Sequence, residues 1–267
     1  MASATRGKTL RERTLKPVHP NVGIAAAYRR RITALIDEMN ASVMYWLSAS
    51  FKANTPVVAQ DELPSEALRI AVRKLARRWQ KQFRDAAPKL ADYFAQAASQ
   101  RSDAALKKIL RDGGYSVKFT MSRAQQDILR ATVNENVNLI KSIPQQYFVQ
   151  VEGAVMRSVQ TGRDLHSLTK ELQEQFGVTR RRAAFIASDQ NNKVSSALQT
   201  ARQIELGLNE ATWLHSHAGK RPRPTHVKMN GQRFDVRKGM YDSHEKAWIQ
   251  PGQLINCRCQ RRVVLPY

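Results

Sequence analysis

Apolar residues recur at steps of three and four along most of this chain, and that period restricts everything before about residue 210 to amphipathic helices. In the stretch from Asn21 to Phe51, Tyr28, Ile32, Leu35, Ile36, Met39, Val43, Trp46 and Leu47 fall on one helical stripe. Asn54, Pro56 and "QDELP" break the pattern, and Ser65 with Glu66 then predicts an N-capped second helix. There Leu68, Val72, Leu75, Trp79 and Phe83 share a face, and Arg69, Arg73, Lys74, Arg77, Arg78, Lys81 and Arg84 cover the other sides.

Pro88 is expected to kink or restart that helix. Past Gly113 and Gly114, "YSVKFTM" alternates as a short strand or an extended connector would. Ser122 is positioned to cap a third helix with the stripe Ile128, Leu129, Val133, Val137 and Ile140, interrupted at Pro144. A segment through Tyr147, Val151, Val155 and Val159 runs to Gly162, a helix over "RDLHSLTKELQEQFG" ends at Gly177, and a last helix runs from an N-cap at Thr179 to near Gly207. From Trp213 onward histidine, proline and glycine separate short β-like runs. The expected fold is mainly α: an elongated multi-helix N-terminal and central region followed by a small α+β C-terminal module. The segments are a basic arm over 1–22, a helical region over 23–112, a second over 113–210 and a His/Cys module over 211–267.

Charge constrains the partners. The chain carries 44 Lys and Arg against 22 Asp and Glu, a formal net charge of +22. Such an excess points to a polyanion, with nucleic acid as the default. The basic residues are spread along the chain and no base-reading motif is present, so the expected contact is with double-stranded DNA and non-specific. Arg73, Arg77 and Arg84 are the DNA-contacting candidates; a solvated helix face is the competing reading. The N-terminus lacks the apolar core of a signal peptide, and no run approaches the roughly 18 to 20 apolar residues of a membrane span. A soluble protein of a reducing cytoplasm, with no membrane partner, is expected.

The only two cysteines, Cys257 and Cys259, stand one residue apart in "NCRC", and four of the six histidines, His215, His217, His226 and His244, share their module. Imidazole and thiolate are zinc ligands, and His226, His244, Cys257 and Cys259 make up a candidate set of four. Paired zinc cysteines are usually separated by two to four residues, and a single intervening residue gives an awkward bite. Packed thiols, or a turn tied by Asn256 and Arg258, therefore stand beside the zinc reading. A metal-dependent nuclease of the His-Asn-His type needs metal ligands on a helix after its hairpin, and no helix of suitable length follows Asn230. A cysteine hydrolase lacks any marked nucleophile elbow or oxyanion hole. No catalytic residue is assigned.

The order "RAAFIASDQNNK", Trp213, "RPRPTHVKMNGQRF" and "PGQLINCRC" resembles the C-terminal half of the phage Mu F-like minor head proteins, also called phage head morphogenesis proteins. "ENVNLIKSIPQQY" fits the helical lead-in of that family, and the resemblance covers about residues 115 to 267. Its motif positions are Arg182, Trp213, Arg223, His226, Asn230, Gly231, Pro251, Cys257, Arg258 and Cys259. Many relatives carry an acidic residue before the Arg-x-x-His; Gly219 and Lys220 stand there in this chain, so that role is not carried over. The resemblance makes 113–210 the helical part of a head-morphogenesis region. It implies a structural protein, not an enzyme, of the virion head, present in the host cytoplasm during assembly. It would act at the portal or capsid interior, contacting portal protein, major capsid or scaffold proteins and packaged DNA, and assist packaging or delivery. A nuclease with a His/Cys metal site is the alternative.

Overall fold

The structure, a computed structural model, describes residues 13–53, 64–161 and 164–266. The first twelve residues of the basic arm, the predicted break over 54–63 and Gly162 lie outside the described residues. In chain order the elements are helices α1 (Val22–Ala53), α2 (Pro64–Asp112), α3 (Arg123–Gln160) and α4 (Leu165–Glu205), strand β1 (Glu210–Leu214) and helix α5 (Pro224–Met229). Strands β2 (Arg233–Asp235), β3 (Met240–Asp242), β4 (Ala247–Ile249) and β5 (Gln260–Val264) follow. The fold is therefore mainly α with a small α+β C-terminal region.

The described residues cluster into two units assembled from separate stretches of chain: 21–98 with 127–191, and 13–20 with 99–126 and 192–266. In the first, helical unit, Tyr28, Ile32, Ile36, Met39, Val43 and Leu47 of α1 are buried, as are Leu68, Val72, Leu75, Trp79 and Phe83 of α2. Tyr28 stacks on Phe94 with ring centroids 4.4 Å apart. Trp46 departs from the expected stripe. It is exposed and pairs edge-on with exposed Tyr45, because Val43 and Leu47 already fill that turn of the buried face.

Neither proline ends its helix. Pro88 faces solvent, where water can take the carbonyl bond its ring cannot make. Pro144 is buried inside a continuous α3, with Ile140, Ile143, Tyr147, Phe148 and Val151 in helical phase on both sides of it. Burying those side chains at about 1.5 to 3 kcal/mol each outweighs the ~3 kcal/mol cost of an internal proline. Gly177 is likewise interior to α4, as Leu168, Leu172, Ala183 and Ile186 continue one buried line past it. The Thr179 hydroxyl, expected as a cap, instead donates to the Gln175 carbonyl at 2.8 Å. Ser65 also lies inside its helix, one residue past Pro64, which suits the first turn because it has no N–H to leave unpaired. Ser122 does cap α3, its hydroxyl accepting the Gln125 N–H at 3.3 Å. Gly207, at φ 70°, ends α4 as expected, with the Leu208 N–H reaching back to the Gln203 carbonyl at 2.8 Å.

The first half of α3 buries a different face from the one predicted. Ile128, Leu129, Val133 and Val137 are half-buried, and the sealed positions are Gln125, Thr132 and Asn136. Asn136 accepts the Tyr28 hydroxyl at 2.9 Å and donates to the Thr132 carbonyl at 2.8 Å and to Gln190 at 3.0 Å. The partners that such a position demands are in place for Asn136, whereas the side-chain amide of Gln125 is sealed without one among the described residues.

In the second unit, β1 is the central strand of an antiparallel sheet ordered β2-β1-β5, with Trp213 opposite Arg261 and Ala211 opposite Val263. Strands β3 and β4 form a separate hairpin. Residues Arg13 to Leu15, expected as part of a solvated arm, add to the outer edge of β5: the Leu15 N–H donates to the Val263 carbonyl at 2.9 Å and the Leu265 N–H to the Arg13 carbonyl at 2.9 Å. Leu15 is buried there with Leu106, Leu110, Leu208, Val263 and Leu265, and burial of that one leucine explains why the segment docks. "YSVKFTM" forms no strand; it is a connector whose Val117 and Phe119 pack on this cluster.

Candidate functional site

Helix α5 starts after Arg223, whose backbone is extended, and Pro224 occupies its first turn. His226 and Met229, three residues apart, turn inward together. Asn230 and Gly231 then clamp the end of α5 to the end of β1. The Asn230 side-chain oxygen accepts the His215 N–H at 2.9 Å, and the Gly231 N–H donates to the Trp213 carbonyl at 2.8 Å. Gly231 sits at φ 80°, which only glycine enters without strain. Trp213 is fully buried and meets the His226 ring edge-on, centroids 5.2 Å apart.

The two cysteines arrive from the other side, just before β5. Asn256, at φ 57°, turns the chain into an extended run, along which residues two apart face the same way. That alternation removes the difficulty of the single-residue spacing. Cys257 and Cys259 both point inward, 3.5 and 3.6 Å from Nδ1 of His226, and the intervening Arg258 points outward, reaching the Ala218 carbonyl at 3.5 Å. Both thiols are buried. The Cys259 thiol, then His226 and the backbone N–H groups of Cys259 and Gly252, hold Cys257 below the ordinary thiol range against the opposing effect of burial. The same contact with Cys257, and burial, push Cys259 up.

The far nitrogen of His226 faces Asp242, which has no exposed surface, at 3.3 Å. Asp242 accepts the Thr225 hydroxyl at 3.0 Å and the backbone N–H groups of His244 and Glu245 at 2.9 and 3.3 Å. Burial alone would raise this carboxyl, but those donors and nearby His226 hold it below the ordinary range. Sequence reasoning does not single out Asp242. An Asp-Ser-His turn signals a capping role, but nothing in the linear order says that its second oxygen faces His226.

His226, Cys257 and Cys259 also form part of the wall of an open pocket, together with His215, Lys220, Arg221, Arg223 and Arg258. His215 is held below its usual value, first by burial and then by His217 and His226. Arg223 donates to the Ile255 carbonyl at 3.1 Å, and Pro251 is buried with its carbonyl accepting the Ser196 hydroxyl at 2.5 Å.

Three of the four expected metal ligands thus converge, and His244 does not. Its ring lies in the solvent-facing β3–β4 turn beside the Glu245 carboxylate, 3.5 Å away. Arg182 belongs to the helical unit, where it bonds Ser142 at 2.9 Å. Arg73, Arg77 and Arg84 are exposed on α2, and Arg73 lies 3.5 Å from Glu152. After Asn230 the described residues hold strands and turns but no helix.

No solved structure matches the chain significantly. Over 130 residues it is 35% identical to an uncharacterized protein of Haemophilus influenzae strain Rd, an alignment that takes in 49% of this chain and 28% of that protein. The chain therefore spans less than a third of the length of this curated relative. Residues 149–262, which run from the second half of α3 through the His226, Cys257 and Cys259 cluster, match the family model of the phage Mu protein F like proteins, and over that stretch the chain is similar to this family.

Proposed function

We propose that the chain is a phage minor head protein that acts in head morphogenesis, at the portal or the capsid interior. The observation that carries this reading is the family match over 149–262, a range that includes Arg182 and every motif position from Trp213 to Cys259. A net charge of +22 supports work beside packaged DNA, where neutralising phosphates requires no base reading. The exposed basic side of α2, with Arg73, Arg77 and Arg84, is the surface proposed for non-specific double-stranded DNA. Portal, major capsid or scaffold proteins are the proposed protein partners. None of the described helices is long and apolar enough to cross a membrane, in keeping with a role in the virion head.

The test is genetic and structural. Deleting the gene from a phage that carries it should give defective or empty heads by electron microscopy, and peptides of the protein should appear in purified wild-type particles. Normal heads at normal yield, with no such peptides in the particles, would overturn the reading.

A further inference from the structure

We infer that Nδ1 of His226 and the Sγ atoms of Cys257 and Cys259 are the three protein ligands of one zinc-class ion, with the fourth position facing the basic pocket. This goes beyond the head-protein reading and does not depend on it. The ligand atoms of the three residues lie within 4.8 Å of one another and all three residues are buried. Bonds of about 2.3 Å to sulfur and about 2.05 Å to nitrogen, at the tetrahedral angle, place a nitrogen and a sulfur ligand about 3.6 Å apart. His226 Nδ1 stands 3.5 Å from one sulfur and 3.6 Å from the other. Both nitrogen–sulfur separations are thus those that one shared tetrahedral ion requires.

The surroundings favour metal over packed thiols. His226 Nε2 is sealed from solvent and makes no directed hydrogen bond, yet it lies 3.3 Å from the Asp242 carboxylate. With a metal on Nδ1, the ring proton must sit on Nε2, facing that carboxylate, which is the usual outer support of a metal-bound histidine. Three ligands and one pocket-facing position describe an open zinc site, not a closed four-ligand staple. The pocket wall of Lys220, Arg221, Arg223 and Arg258 would favour water or an anionic oxygen in that position.

The experiment is elemental analysis of the full chain purified under reducing conditions, paired with cobalt(II) titration of the metal-stripped protein. The expected result is about one zinc per chain and thiolate-to-cobalt charge-transfer bands, both lost in Cys257→Ser and Cys259→Ser and both kept in His244→Ala. Circular dichroism reports whether each variant is folded, and the wild-type cobalt spectrum stands independently of any variant. Wild-type protein that is folded and reduced but takes up neither zinc nor cobalt would overturn the inference. So would metal retained undiminished in both serine variants, or lost in His244→Ala.

Discussion

Nε2 of His226 lies 3.3 Å from Oδ2 of Asp242, and both side chains are withdrawn from solvent. Helix α5 supplies one residue and strand β3 the other. If the carboxylate holds the imidazole with its Nδ1 lone pair toward the cysteines, Asp242→Asn should weaken zinc binding about 10- to 100-fold. Competition with a chromophoric chelator measures this, and unchanged affinity would reduce Asp242 to a cap for the β3–β4 turn.

Gly231 occupies φ 80°, and no neighbouring atom lies within 4 Å of where a Cβ would stand, so a side chain there meets backbone strain and no clash. Gly231→Ala should cost about 1 to 2 kcal/mol in urea unfolding. Gly231→Asn should cost less, since asparagine tolerates the left-handed region.

Arg202 is almost fully buried. It bonds Asp103 at 2.7 and 2.9 Å, Glu205 at 3.0 Å and the Thr120 carbonyl at 2.7 Å, with its guanidinium 4.6 Å from the Phe119 ring centre. Arg202→Ala leaves two carboxylates without their cation and should destabilise the fold by roughly 3 kcal/mol. Arg202→Lys should recover little, because an ammonium cannot reproduce the two-pronged bond to Asp103. Equal stability of the lysine variant and the wild type would contradict this.

Asp164 caps α4, accepting the His166 N–H at 2.9 Å and the Ser167 hydroxyl, and these bonds, Ser167 foremost, lower its carboxyl below the ordinary range. A lowered folded value means that the stabilisation is complete above the unfolded carboxylate range and is lost as pH falls through the folded value. Amide protection factors across the first turn of α4, taken against the intrinsic exchange rate at each pH, should therefore fall on acidification below about pH 4. In Asp164→Asn, which keeps an acceptor but does not titrate, that fall should be absent.

Reversing Arg73, Arg77 and Arg84 to glutamate should weaken plasmid DNA mobility shifts at low salt. The slope of log affinity against log salt should fall by roughly one unit for each phosphate that is no longer neutralised. Unchanged affinity would make that side of α2 ordinary solvated surface. Metal-dependent plasmid cleavage that disappears in His226→Ala would favour the nuclease alternative.

The helices were legible because burial repeats with the helical period, and the lines through Tyr28 to Leu47 and Leu68 to Phe83 needed no partner to be read. Punctuation was less reliable. Pro88, Pro144 and Gly177 signal a break only through local backbone cost, and tertiary burial overrode that cost at Pro144 and Gly177. The polar face of α3 was invisible for a related reason: Asn136 can be buried because Tyr28 and Gln190, 108 and 54 residues away in the chain, complete its hydrogen bonds.

By itself, then, the sequence determined the mainly helical class, the change of texture near Trp213, the end of α4 at Gly207 and the residue types available for a thiolate and imidazole site. Those follow from periodicity, turn chemistry and side-chain inventory, which are local properties. Only the tertiary structure decided which histidine meets the cysteines. His226 and Cys257 are 31 residues apart in the chain and touch because α5 and the run into β5 pack around Trp213. His244, nearer to the cysteines in the chain, is carried into solvent by the β3–β4 turn. Asp242 joined the site on the same ground, since proximity in space is set by packing and not by separation along the chain.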